Sequence, residues 1–134
     1  MRRREVFRLN RDRRDPRFVR YWLPVLLYVG LIFAVSSLPR LEPPIRLHDG
    51  DKLAHVLEYG VLGYLLVRAL RSTARWSAPL AGGLLALAIG LAIGAADELY
   101  QATIPGRDST VHDWVADATG LLLAQMAYLL VKRD

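Results

Sequence analysis

Two stretches of the chain run without a charged side chain for long enough to cross a bilayer: Tyr21–Leu38, eighteen residues, and Ser77–Ala96, twenty. The hydrocarbon core of a membrane is roughly 30 Å thick, and a helix needs about 20 apolar residues to span it. Two more apolar runs, Leu53–Val67 and Ala118–Val131, are entered by polar groups: His55 and Glu58 lie within the first, and Asp113 and Asp117 come just before the second. With their polar first turns these runs predict helices near 51–70 and 112–131, beside the cleaner pair near 21–38 and 77–96. None of the four alternates apolar and polar positions, so strands are not expected. Glycines such as Gly60, Gly63, Gly90, Gly94 and Gly120 recur inside the runs. They are costly in a soluble helix but let membrane helices approach closely. The expected fold class is an all-α membrane protein with four transmembrane helices. A soluble bundle is the competing reading, but a chain of 134 residues has too little polar surface to hide four helices that are apolar nearly all round.

Charge then orients the helices. Residues 1–20 hold nine arginines against Glu5, Asp12 and Asp15, a net of +6, whereas the other 114 residues hold nine bases and ten acids. The basic character therefore belongs to a tail at 1–20, ahead of a membrane domain at 21–134. Such a tail suits anionic headgroups on the cytoplasmic side. No nucleic-acid-reading fold stands behind it, and nucleic acid is not an expected partner. With the N-terminus inside, the inner side receives fourteen lysines and arginines, and the outer side receives Arg40, Arg46, Lys52 and Arg107. That bias predicts cytoplasmic termini and a multi-pass protein of the bacterial cytoplasmic membrane. The first run also resembles a signal peptide ending at Ala34-Val35-Ser36. Its length, with Tyr21 and Trp22 as an interfacial belt, favours a retained helix. Cysteine is absent, which excludes thiolate chemistry and disulfides.

This topology collects nine of the thirteen acids at the outer face, Glu42, Asp49 and Asp108 among them, along with His48, His55 and His112. Helical spacing puts Asp51, His55 and Glu58 on one face of the second helix. Asp97 and Gln101 are four apart at the end of the third, with Glu98 adjacent; Asp113 and Asp117 are four apart at the start of the fourth. Between them Pro105-Gly106-Arg107 forms a turn that can fold an arginine over the helix ends. Taken singly, charges at helix ends are solvated or snorkelling, and Asp113 is good capping chemistry. Glu58 is different, because it lies about two turns, roughly 10 Å, inward of Asp51. An ionisable group at that depth marks a site or an internal polar network.

These residues also match a family pattern. Asp51-Lys52-Leu53-Ala54-His55-Val56-Leu57-Glu58-Tyr59-Gly60 resembles the DKxxHxxEY motif of the VanZ-like family. Asp97-Glu98-Leu99-Tyr100-Gln101 followed by Pro105-Gly106-Arg107 resembles its DExxQ…PGR segment, Asp113 with Gly120 resembles its closing D…N…G segment, and Ser36-Ser37 also fits. The resemblance runs from about Tyr21 to the C-terminus. It departs at Asp117, where the family usually has asparagine. It implies a small bacterial membrane protein of the cell envelope, in a family named for a member linked to teicoplanin resistance, and it leaves the molecular activity open.

Two functional classes fit this outer face. In the first, an enzyme or binding site acts on a lipid-linked phosphate or another envelope component. His55, Glu58, Asp97 and Glu98 are then the catalytic candidates, and Lys52, Gln101, Arg107 and Asp113 hold substrate, with His55 also able to contact the phosphate. Four bases against nine acids would repel a phosphate unless a cation intervened, so this version calls for a divalent metal. Asp51, His55, Glu58, Asp97 and Glu98 offer ligands for one, without forming a tight metal motif. In the second class, a non-catalytic protein binds or moves a membrane lipid or a glycopeptide, and the charged residues are an internal network holding the helices in register. Serine chemistry is a distant third, because Ser109 and Thr110 are too close in sequence to His112 and Asp113 to form a working triad.

Overall fold

A computed structural model describes residues 16–39, 50–73 and 79–131. Most of the basic tail, together with Glu42, Arg46, His48, Asp49, Lys132 and Arg133, lies outside the described residues. The described chain is all helix and turn: α1 (Pro16–Ser36), α2 (Gly50–Thr73), α3 (Pro79–Gln101) and α4 (Val111–Val131). All four are long and apolar enough to cross a membrane. They alternate in direction. Trp22 near the start of α1 donates to Thr73 Oγ1 at the end of α2 (3.1 Å), while Gln101 at the end of α3 meets Ser36 at the end of α1. The start of α1 and the end of α4 therefore lie at the same end of the bundle, Tyr128 of α4 meeting Arg71 near the end of α2.

Two boundaries differ most from the expectation, both because absence of charge underestimates a helix. α1 begins at Pro16 rather than Tyr21. Proline is suited to a first helical turn, and exposed arginines in that turn can reach water while their stems lie on lipid. α3 continues past Ala96 to Gln101, taking in Asp97 and Glu98. Those acids stay inside because they face other helices, not lipid. The buried stripe of α3 reads Gly82, Ala86, Gly90, Gly94, then Asp97, Glu98 and Gln101. Small residues let α3 close on its neighbours over most of its length, and polar ones fill its last turns.

The core is built on α2 and α4. Tyr59, Leu62, Leu66, Val67 and Leu121 are fully enclosed. At Gly120 the two backbones touch: a Cβ there would run into the Val56 carbonyl and the Gly60 nitrogen. By contrast, α1 buries only Val25, Ile32 and Ser36. Its other side is apolar and open, as are parts of every helix: Leu27 is 66% exposed, Leu80 71% and Leu130 66%. Water does not tolerate so continuous an apolar surface, whereas lipid requires it, and this rules out the soluble bundle.

Candidate functional site at the polar end of the bundle

The ends of α1 and α3 and the starts of α2 and α4 converge on a cavity of about 200 Å³. Its wall includes Val35, Ser36, His55, Glu58, Arg107 and Asp113. Two hydrogen-bonded layers support it. In the first, Gln101 Nε2 donates to Asp97 Oδ2 (2.9 Å) and to Ser36 Oγ (3.1 Å), and the Tyr59 hydroxyl donates to Asp97 Oδ2 (3.4 Å). This layer ties α1, α2 and α3 through side chains that are nearly all sealed from solvent.

The second layer centres on His55. Its Nδ1 lies 2.8 Å from Asp117 Oδ1 and 3.9 Å from Glu98 Oε1. Ser109 donates to the other oxygen of Glu98, Oε2, at 2.7 Å. Asp117 is wholly buried, and Gly94 makes the room for it: a Cβ there would stand 3.1 Å from Asp117 Oδ2 and 3.3 Å from the Tyr59 ring. One oxygen on each of Asp97 (Oδ1), Glu98 (Oε1) and Asp117 (Oδ2) is buried without a hydrogen-bond donor. A buried carboxylate oxygen without a donor carries a full desolvation cost.

The family described as VanZ/LLP1 matches residues 10–132, nearly the whole chain. The chain belongs to the VanZ/LLP1 family. No curated protein and no solved structure matches the chain.

In this VanZ/LLP1 chain the sequence-predicted residues divide into three groups. His55, Glu58, Asp51, Gln101, Arg107 and Asp113 all border the cavity. Lys52 lies outside that wall, beside a shallower pocket shared with Asp51, Asp108 and Asp113. Asp97 and Glu98 sit behind the cavity wall, Asp97 in the first layer and Glu98 in the second. Two placements supply partners that spacing could not name. The Arg107 guanidinium donates to backbone carbonyls at the end of α1, Nε to Leu38 (3.1 Å) and Nη2 to Val35 (3.1 Å). Gly106, with φ 79°, takes the left-handed turn that brings Arg107 there; glycine adopts it without strain. Asp113 accepts from Thr110 Oγ1 (2.7 Å), and its own N–H donates back to that hydroxyl (3.3 Å), a reciprocal cap on α4.

Contributors outside the predicted site set include Ser36, which accepts from Gln101, and three more. Asp117 is the direct partner of His55, Ser109 holds Glu98, and Tyr59 holds Asp97. The signal for Asp117 was its departure from the asparagine of the family pattern. Nothing local marked Ser109, since its partner lies on another element. His55, Glu98 and Asp117 each offer a ligand atom, all within 4.8 Å of one another. Among the described residues, this is the group that could hold a metal ion.

Proposed function

We propose that the polar end faces the extracytoplasmic side of the bacterial cytoplasmic membrane and binds the phosphate-bearing head of an envelope lipid, with His55, Glu98 and Asp117 as its chemical centre. The observation that carries this reading is the composition of the cavity wall. His55, Glu58 and Arg107 share it with Val35, an apolar side chain that is 44% exposed beside the lipid-facing surface of α1. A wall part polar and part lipid-facing suits a ligand with a charged head and an apolar tail.

Size supports a headgroup over a glycopeptide. A cavity of about 200 Å³ falls below the roughly 300–1,000 Å³ of pockets that enclose drug-sized ligands, and a glycopeptide is larger still. On this reading a teicoplanin phenotype arises indirectly, through the supply of an envelope precursor. The Ser36–Gln101–Asp97–Tyr59 layer favours a scaffolding role for Asp97 and Gln101, since their polar atoms are turned to one another.

The test is native mass spectrometry of the purified protein in nanodiscs doped with a polyprenyl phosphate. Wild type should retain the lipid, and Glu58→Gln, which keeps shape while removing charge, should insert normally and retain it less well. A wild type that shows no preference for the phosphorylated lipid over its alcohol sinks the proposal.

A further inference from the structure

Among the described residues, the acids around His55 and the cavity outnumber the cations that face them. Around His55 stand the carboxylates of Glu98 and Asp117, with Glu58 and Asp113 on the cavity wall. Arg107, the cation on that wall, directs two of its donors to α1 carbonyls. A single imidazole engages Asp117 Oδ1 and leaves Glu98 Oε1 and Asp117 Oδ2 buried without donors. An acidic wall of this kind also repels a phosphate.

We propose that His55, Glu98 and Asp117 bind one divalent transition cation of the Zn²⁺ or Mn²⁺ class, beside the cavity. The inference deepens the proposed function and rests on it, since a bound cation is what lets a phosphate approach these carboxylates. Four features point to this ligand. First, the spacing fits. Ligand atoms about 2.1 Å from a tetrahedral ion are roughly 3.4 Å apart, and here His55 Nδ1 is 2.8 Å and 3.9 Å from the two carboxylates. The cation would replace the proton shared by His55 and Asp117. Second, the unpartnered Glu98 Oε1 is the oxygen nearer the imidazole, and the side chains carrying the two orphaned oxygens are 10% and 0% exposed. Third, the carboxylates are already oriented from behind, Glu98 by Ser109 and Asp117 by the space at Gly94. Such outer contacts usually accompany metal ligands. Fourth, one nitrogen with two carboxylates suits a transition ion better than Mg²⁺ or Ca²⁺, which prefer all-oxygen sets. Three protein ligands leave a coordination position for a substrate oxygen, the arrangement of catalytic sites.

The experiment uses the whole chain, stripped with a chelator, reconstituted in nanodiscs without polyprenyl phosphate, and titrated with Zn²⁺ by calorimetry and thermal unfolding. One ion per chain should bind and raise the melting temperature, and equal Mg²⁺ should not compete. Asp117→Asn is isosteric and can still donate or accept at His55. It and Glu98→Gln should weaken binding by at least about tenfold, the loss already produced by altering groups outside the ligand shell. His112→Ala, at an exposed histidine, should bind as wild type does. Absence of saturable binding to wild type, wild-type affinity in both carboxylate variants, or loss in His112→Ala each overturns the site. Polyprenyl phosphate binding is then measured on stripped and loaded protein. Zn²⁺ binding without lipid binding overturns the function and leaves the cation site standing; lipid binding by protein that takes up no Zn²⁺ does the reverse.

Discussion

Arg107 shows how a side chain's partners decide what its replacement should do. Its planar fork spans two carbonyls, Val35 in the last turn of α1 and Leu38 just beyond it. Lysine has one ammonium on a flexible stem and cannot bridge both with fixed geometry. Arg107→Ala should therefore cost about 1–2 kcal/mol, modest because the bonds are exposed, and Arg107→Lys should recover only part of it. Thermal unfolding of both variants in detergent checks this. A lysine variant as stable as wild type would mean the carbonyl contacts contribute nothing. Glu58 behaves differently, because it borders the cavity and, among the described residues, no hydrogen bond to its carboxylate is found. Glu58→Gln should leave the melting temperature within about 1 °C of wild type while envelope function in a complementation assay is lost; normal complementation would assign Glu58 to structure. The local part of this site was legible from spacing alone. Asp51, His55 and Glu58 do border one cavity, and Asp97 does pair with Gln101 four residues on. The rest was not, because helical periodicity orders residues on one helix and is silent about which face meets which. His55 and Asp117 are 62 residues apart, and Gln101 and Ser36 are 65 apart.

Among the helices, the α2–α4 pair is the most closely packed and so should be the least tolerant of added volume. Gly120→Ala puts a methyl group onto the backbone of α2, where no rotamer can relieve it. The expected cost is about 3 kcal/mol or outright failure to fold. Gly94→Ala is milder. Its methyl meets the Asp117 carboxylate and the Tyr59 and Trp114 rings at 3.1–3.4 Å, so neighbours shift by a few tenths of an ångström. Protein level and melting temperature should fall little, while lipid or ion binding falls clearly. Equal losses in stability for Gly94→Ala and Gly120→Ala would show that the helix pair is more pliable than its backbone contact implies. Glycine content pointed to close packing in the sequence, but not to the division of labour between a glycine that seats a backbone and one that seats a carboxylate. Helix ends were harder to read than helix centres, for the same reason at both ends: a charge was taken as a boundary, yet Asp97 and Glu98 lie inside α3 because other helices cover them.

At the scale of the whole molecule, the functional account stands on one claim: the end carrying His55, Glu98 and Asp117 opens to the extracytoplasmic side. The four-helix arrangement relates the loops to one another, and the arginine-rich tail is the ground for expecting the cytoplasmic side at its end. The natural chain contains no cysteine, so a single introduced thiol reports its own location without background. Asp108→Cys, exposed between α3 and α4, should react in intact cells with a membrane-impermeant maleimide. Arg75→Cys, between α2 and α3, should react only after the cells are permeabilised. The reverse pattern, with Arg75→Cys labelled from outside and Asp108→Cys protected, would contradict the topology and every assignment made to the polar end.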